Sequence, residues 1–239
     1  MEVSVRACDS LIVDSEFAKD EIISLLKIKK EKIFVIYLGI DKKYLDNQSS
    51  NDYIENFHYK NYIISVLSCV KYHNILKMLK AFRLLKKDND LDLKFVLVIQ
   101  ILDKKYFAQI NEYIVKNFSK DEIIIFNNLD SKYLINLYRS STFYIFSSYC
   151  EVFGLTSLEA MSQECPVIIS NRSALPEINF DSAEYFDPDD EIEIKKSMEK
   201  VMFNLDYRAS LINRGRNHHK KFKWENTVSQ TIKVLNIKN

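Results

Sequence analysis

The chain has 239 residues, 34 of them lysine or arginine and 33 aspartate or glutamate, a length that suits one α/β domain plus an appendage and is short for two complete ones. A net charge near zero gives no electrostatic basis for binding nucleic acid or an anionic membrane, and the longest apolar runs, such as Phe95 to Ile99, fall far below the roughly 18 residues of a membrane span. Met1-Glu2-Val3-Ser4 opens no signal-peptide h-region, and Cys8, Cys69, Cys150 and Cys165, without CxxC spacing, read as reduced core thiols of a cytoplasmic protein.

In chain order, Ser10 to Asp14 is a short strand, and Ser15 caps a helix that runs to about Leu26. The strand Ile33 to Tyr37 and the turn Leu38-Gly39-Ile40-Asp41 follow. A polar, Asn-rich stretch, residues 46–61, reads as a linker after an opening unit of residues 1–45. Strands are then expected near Tyr62 to Leu67, Lys94 to Gln100, Ile123 to Phe126, Phe143 to Phe146, Val167 to Ser170 and Glu184 to Phe186. Helices are expected between them, near Ile75 to Lys87, Lys105 to Asn117, Ser131 to Arg139, Thr156 to Ser162 and Ile192 to Asn204. Strict alternation with nearly all-apolar strands predicts an α/β fold, a Rossmann-like doubly wound parallel sheet over residues 62–205 with both faces covered. A helical tail, residues 206–239, closes the chain with helices at about Tyr207 to Lys221 and Trp224 to Leu235.

The three glycines and three prolines are few against averages of about 7% and 5%. Asn and Asp must therefore take the left-handed backbone positions that glycine usually fills. A glycine-rich phosphate loop is excluded, because no two glycines lie close together. One glycine, Gly154, stands in Phe143-Tyr144-Ile145-Phe146-Ser147-Ser148-Tyr149-Cys150-Glu151-Val152-Phe153-Gly154-Leu155-Thr156-Ser157-Leu158-Glu159. The run reads as strand, turn and helix, with Glu151 and Glu159 flanking the turn. Ligands of open α/β sheets bind where strands end and helices begin, and a helix start offers free N–H groups to an anion. Spacing alone makes Glu159 an ordinary helix-surface acid.

The pattern Glu-x7-Glu, with Phe-Gly-Leu after the first acid and Glu-Ala-Met at the second, resembles the donor-site signature of the retaining GT-B glycosyltransferases of glycosyltransferase family 4 (glycosyl transferases group 1). Pro166-Val167-Ile168-Ile169-Ser170-Asn171, Ala174-Leu175-Pro176-Glu177 and Tyr185-Phe186-Asp187-Pro188 extend the likeness in the family's order. Ala7 to Phe17 and Ile36 to Asp41 resemble the end of the family's N-terminal domain. The resemblance thus implies the C-terminal half of a GT-B fold with a remnant of the acceptor-side domain. It covers essentially the whole chain and about half of the family's length.

The resemblance implies transfer of a hexosyl group, with retention, from a nucleotide diphosphate sugar to an acceptor glycan or lipid-linked sugar, for cell-surface polysaccharide, without a metal or other cofactor. Glu151 would orient the donor sugar, a role it fits better than nucleophile, and Glu159 would accept hydrogen bonds from the ribose. Phe153, Gly154, Leu155 and Thr156 would offer backbone N–H groups to sugar and phosphate. Asn128 and Leu129 would meet the base. The family's basic loop falls on Lys71-Tyr72-His73-Asn74; His73 stands at its lysine, and Lys71 could reach the phosphates as a flexible point charge. Both residues also read as ordinary surface and turn positions. Val152 replaces the family's usual glycine, Glu164 stands where Gly-x-Pro is common, and Gln100 replaces a glycine at a strand end.

Other constellations point away from different chemistry. The Asp-x-Asp clusters at Asp88 to Asp92 and Asp187 to Asp190 sit in turns and read as solvated, and His218-His219 lacks partners at metal spacing. No Ser-His-Asp arrangement is indicated. Trp224 is expected in the core. Apolar surface on Leu11 to Val13 and Ile33 to Ile36 predicts self-association. The alternative function is a non-catalytic remnant, or a nucleotide-binding subunit needing a separate acceptor-domain chain. Peripheral placement at the inner membrane face is left open.

Overall fold

In the computed structural model, residues 2–45, 54 and 57–236 are described. Most of the expected linker therefore lies outside the described residues. Two sheets form, both wholly parallel. The smaller pairs β1 (Leu11–Val13) with β2 (Ile33–Val35). The larger has six strands in the order β5-β4-β3-β6-β7-β8, namely β3 (Tyr62–Cys69), β4 (Lys94–Ile101), β5 (Ile123–Asn127), β6 (Tyr144–Phe146), β7 (Val167–Ser170) and β8 (Glu184–Phe186). Every residue of β6 and β7 is buried, as parallel strands covered on both faces must be. This is the doubly wound α/β fold. The strand order reverses direction between β3 and β6, and there the sheet opens a crevice at the strands' carboxyl ends.

The helices are α1 (Glu2–Ala7), α2 (Glu16–Leu26), α3 (Ile75–Asn89), α4 (Lys104–Asn117), α5 (Ser131–Ser140), α6 (Leu155–Ser162), α7 (Leu175–Asn179), α8 (Glu191–Phe203), α9 (Leu205–His218) and α10 (Trp224–Asn236). Five of the ten start on a side-chain cap that satisfies an orphan N–H. Ser15 accepts from Ala18 N at 3.1 Å and Asp103 from Tyr106 N at 2.9 Å. Asp130 caps α5, Asp190 caps α8 and Asn204 caps α9 in the same way. Asn74, Asp90, Asp121 and Asn128 take the left-handed conformation expected of them, but Lys27, Glu164, Ser173 and Phe180 do so as well.

The opening unit docks on the main domain, where one carboxylate gathers three of its groups. Glu177, in α7, accepts from Glu16 N at 2.7 Å, Phe17 N at 2.9 Å and the Tyr37 hydroxyl at 2.8 Å. The tail closes over the same unit. Ile40 N donates to Phe222 O at 3.1 Å, and a Cβ on Gly39 would lie 2.2 Å from Trp224 N, so only glycine fits there.

Several expectations are corrected. Ile33 and Ile36 are buried against the rest of the chain, and of β1 and β2 only Ile12 is exposed, because α2 and the main domain cover these strands. Trp224 is exposed, its packing role taken by its backbone and by buried Phe222. Cys69 and Cys165 are core thiols, but Cys150 is exposed and Cys8 half-buried. His218 and His219 are buried, with ring nitrogens on Ile178 O at 2.7 Å and Gly215 O at 3.0 Å, and burial holds both below the usual histidine range. The acidic turns do lie at the surface, where they form ion pairs: Asp88 with Lys195, Asp187 with Arg172 and Asp189 with Lys77.

Candidate functional site

A cavity of about 1040 Å³ opens at the carboxyl ends of the central strands. Its floor is Val66 to Ser68 of β3, Val98 to Gln100 around the end of β4, and Phe146 of β6. Tyr72 and His73 form one wall. Asn128, Leu129 and Leu134 form another, and Cys150 to Val152 with Gly154 to Thr156 form the third. Position follows from topology: four strand ends converge where the sheet reverses direction, and each following loop contributes a wall.

The loop into α6 is fixed from below. Ser173 Oγ accepts from Glu151 N at 2.9 Å, and Ala174 N donates to Glu151 O at 3.2 Å. Gly154 turns the chain with φ +88°, a conformation costly to residues with a Cβ, and an added Cβ would meet Leu175 Cδ2 at 2.7 Å. No side chain caps α6, and Gly154, Leu155 and Thr156 at its start line the cavity. An uncapped helix start of this kind favours an anion. Thr156 Oγ1 is held 2.8 Å from the Tyr144 hydroxyl, beneath the floor.

His73 ends the helical turn Lys71–His73 that follows β3. Its Nδ1 stands 2.5 Å from Ser68 O, and its Nε2 stands 3.0 Å from Glu151 Oε1. The ring is buried and stacks edge-on to Phe146 and Tyr72. The ring is thereby held at both nitrogens, by a main-chain carbonyl on one side and the Glu151 carboxyl on the other. Among the described residues lining the cavity there is no lysine or arginine; His73 is the one able to carry positive charge.

The sequence-predicted residues divide. The cavity brings together His73, Glu151, Gly154, Leu155, Thr156, Asn128 and Leu129. Phe153 turns away into the core, 6.0 Å from the Tyr37 ring and 5.9 Å from Phe222, which leaves only its backbone near the site. Lys71 is exposed and outside the cavity lining. Glu159 is also outside the lining. It lies one turn further along α6, where the Tyr44 hydroxyl hydrogen-bonds it. Burial pushes its carboxyl up to about 7, against the pull of Lys43 and that hydroxyl. Val152 is exposed at the rim and Gln100 at the end of β4. Sequence reasoning missed Ser68, Tyr72 and Ser173; their only signal was adjacency to strand ends and motif residues.

The family model of glycosyl transferases group 1 matches residues 46–218. The chain belongs to this family. Among its relatives, an O-antigen chain mannosyltransferase, RfbU of Salmonella typhimurium, is 25% identical over 95% of this chain and 59% of its own length. The O-antigen chain mannosyltransferase B of Escherichia coli is 23% identical over 98% of this chain and 62% of its own. This glycosyl transferases group 1 chain therefore spans about three fifths of the length of these two curated relatives. Among solved structures, a glycosyltransferase from Rickettsia africae superposes with a TM-score of 0.83 at 19% identity, covering 98% of this chain and 65% of that one. Anabaena HepE, solved with UDP and glucose, superposes with a TM-score of 0.80 at 13% identity, over 96% of this chain and 63% of its own. These two likenesses establish the GT-B type of fold.

Proposed function

We propose that this family member binds a nucleotide diphosphate sugar in the cavity and forms the donor side of a retaining hexosyltransferase acting in polysaccharide synthesis. The observation that carries the reading is the convergence of His73, Glu151 and the uncapped start of α6 on one cavity. The diphosphate would lie against the α6 N–H groups and His73, with Lys71 reaching over the mouth as a flexible second charge. As charge builds on the leaving diphosphate, these fixed donors stabilise it without reorganising. Glu151, aimed by His73 and Ser173, accepts from the sugar hydroxyls. Glu159 accepts from the ribose, which competes with the Tyr44 hydroxyl for it. Asn128 and Leu129 meet the base. The reading calls on no metal.

The O-antigen relatives make a mannosyl donor the first to try. Incubating the purified chain with a panel of nucleotide sugars and reading bound species by native mass spectrometry tests the reading. Retention of one nucleotide sugar supports it, and retention of none contradicts it.

A second reading is that of a nucleotide-binding subunit active only when joined by an acceptor domain. The two-stranded β1–β2 sheet favours it: parallel sheets are normally larger and covered, and the outer edges of this one pair with no strand among the described residues. Donor binding without transfer would distinguish this reading from the first.

A further inference from the structure

Helix α7 is held from two sides, by the opening unit and by the loop that bears Glu151. On the first side, the Glu177 carboxylate takes the two leading N–H groups of α2, those of Glu16 and Phe17, while Ser15 Oγ takes the third, that of Ala18. A helix start favours an anion, because its N–H groups lack partners and the dipole is positive there. On the second side, Ser173 Oγ accepts from Glu151 N at 2.9 Å, and Ala174 N donates to Glu151 O at 3.2 Å. Leu175 Cδ2 packs so closely on Gly154 that an added Cβ would lie 2.7 Å from it. Both main-chain polar groups of Glu151 thus hang on the residues that lead into a helix of five, and that helix is tied to α2 by its own carboxylate.

Tyr37 makes a second route to the same place. Its hydroxyl donates to Glu177 at 2.8 Å, and its ring meets that of buried Phe153 edge-on at 6.0 Å. Its carbonyl accepts from Thr227 Oγ1 at 2.7 Å, which fixes the residue that carries the ring. Hydrogen bonds through α7 and ring contact through Phe153 therefore converge on residues 151–154, of which Glu151, Val152 and Gly154 line the cavity.

We propose that Glu177 and Tyr37 are positioning residues for this loop: neither lines the cavity, and each sets, through α7 or Phe153, where the Glu151 carboxyl stands. The proposal rests on the donor-site reading and extends it, making the grip on the sugar depend on how the opening unit is seated. The nucleotide is less affected, because His73, Asn128 and Leu129 stand on other walls of the cavity. Coupling of this kind is reciprocal. A ligand that pins Glu151 also steadies the two bonds from Glu16 N and Phe17 N to Glu177.

Titration of the chain and of its Glu177→Ala and Tyr37→Phe variants with UDP, GDP, UDP-glucose and GDP-mannose tests the proposal. Tyr37→Phe removes one hydroxyl and keeps the ring on Phe153. In both variants the affinity for the nucleotide that binds is expected to stay within about threefold of the parent, while that for its sugar derivative falls about fivefold or more. In the parent, the sugar derivative but not the nucleotide should slow hydrogen exchange at Glu16 and Phe17 by about fivefold or more, and Glu177→Ala should lose that protection. A merely structural role would lower both affinities together with the melting temperature and leave the exchange indifferent to ligand. That pattern, or affinities unchanged in both variants, would overturn the proposal. Binding of none of the four by the parent would contradict the donor-site reading itself, and the coupling with it.

Discussion

His73 Nε2 stands 3.0 Å from Glu151 Oε1 while Nδ1 of the same ring stands 2.5 Å from Ser68 O. Both nitrogens meet oxygen, so the ring is fixed at both ends and orients the Glu151 carboxyl. The arrangement ties Glu151 to the one basic side chain among the described residues that line the cavity. Glu151→Gln keeps the size of the side chain and removes its charge. We expect GDP or UDP alone to bind Glu151→Gln within about threefold of the parent, with the additional affinity of the nucleotide sugar reduced about tenfold. Parallel titrations of nucleotide and nucleotide sugar check this.

Gly154→Ala should destabilise the fold and the site together. The left-handed φ of +88° and the 2.7 Å approach to Leu175 Cδ2 predict a loss of about 1–3 kcal/mol in urea unfolding. The start of α6 must shift to make room, so nucleotide affinity should fall in step.

Glu159 gives a pH signature with a definite sign. Its folded carboxyl titrates near 7, above its ordinary value of 4.5, chiefly because it is buried. Between those values the unfolded chain ionises this group while the folded chain keeps its proton. Stability from this group is therefore present below about 4.5 and is lost as pH rises towards 7. Glu159→Gln should flatten that part of the curve, by up to about 3 kcal/mol between the two limits. Melting of both proteins from acid to neutral pH measures the difference. An identical pH slope in parent and variant would contradict the account.

Glu177→Ala removes the carboxylate that gathers two N–H groups of α2 and the Tyr37 hydroxyl. The expected effect is local: faster hydrogen exchange at Glu16 and Phe17, by about tenfold or more, while the strands of the main sheet keep their protection. Uniform loss across the chain would show that the opening unit and the main domain unfold as one.

Local pattern carried the fold. The apolar strands, the capping Ser15, Asp130 and Asp190, and the turn at Gly154 each state their structure within a few residues. Helix α7 was not expected, because Pro176 reads as a breaker unless its place in the first turn is known. The site was legible where it follows strand ends and obscure where it depends on distant partners. The His73–Glu151 contact joins residues 78 apart in sequence. Phe153 sits inside the motif yet packs on Tyr37 and Phe222, and Trp224 looks like core yet supplies only its backbone to Gly39. Nothing near either residue in sequence announces those neighbours.

The most direct test of the donor-site account is calorimetric titration of the chain and of its His73→Ala variant with UDP and GDP. The account predicts that one of the two nucleotides binds the parent, and that loss of His73, the one basic residue among the described lining residues, weakens binding about tenfold or more. Binding of neither nucleotide, or equal binding by parent and variant, would contradict it.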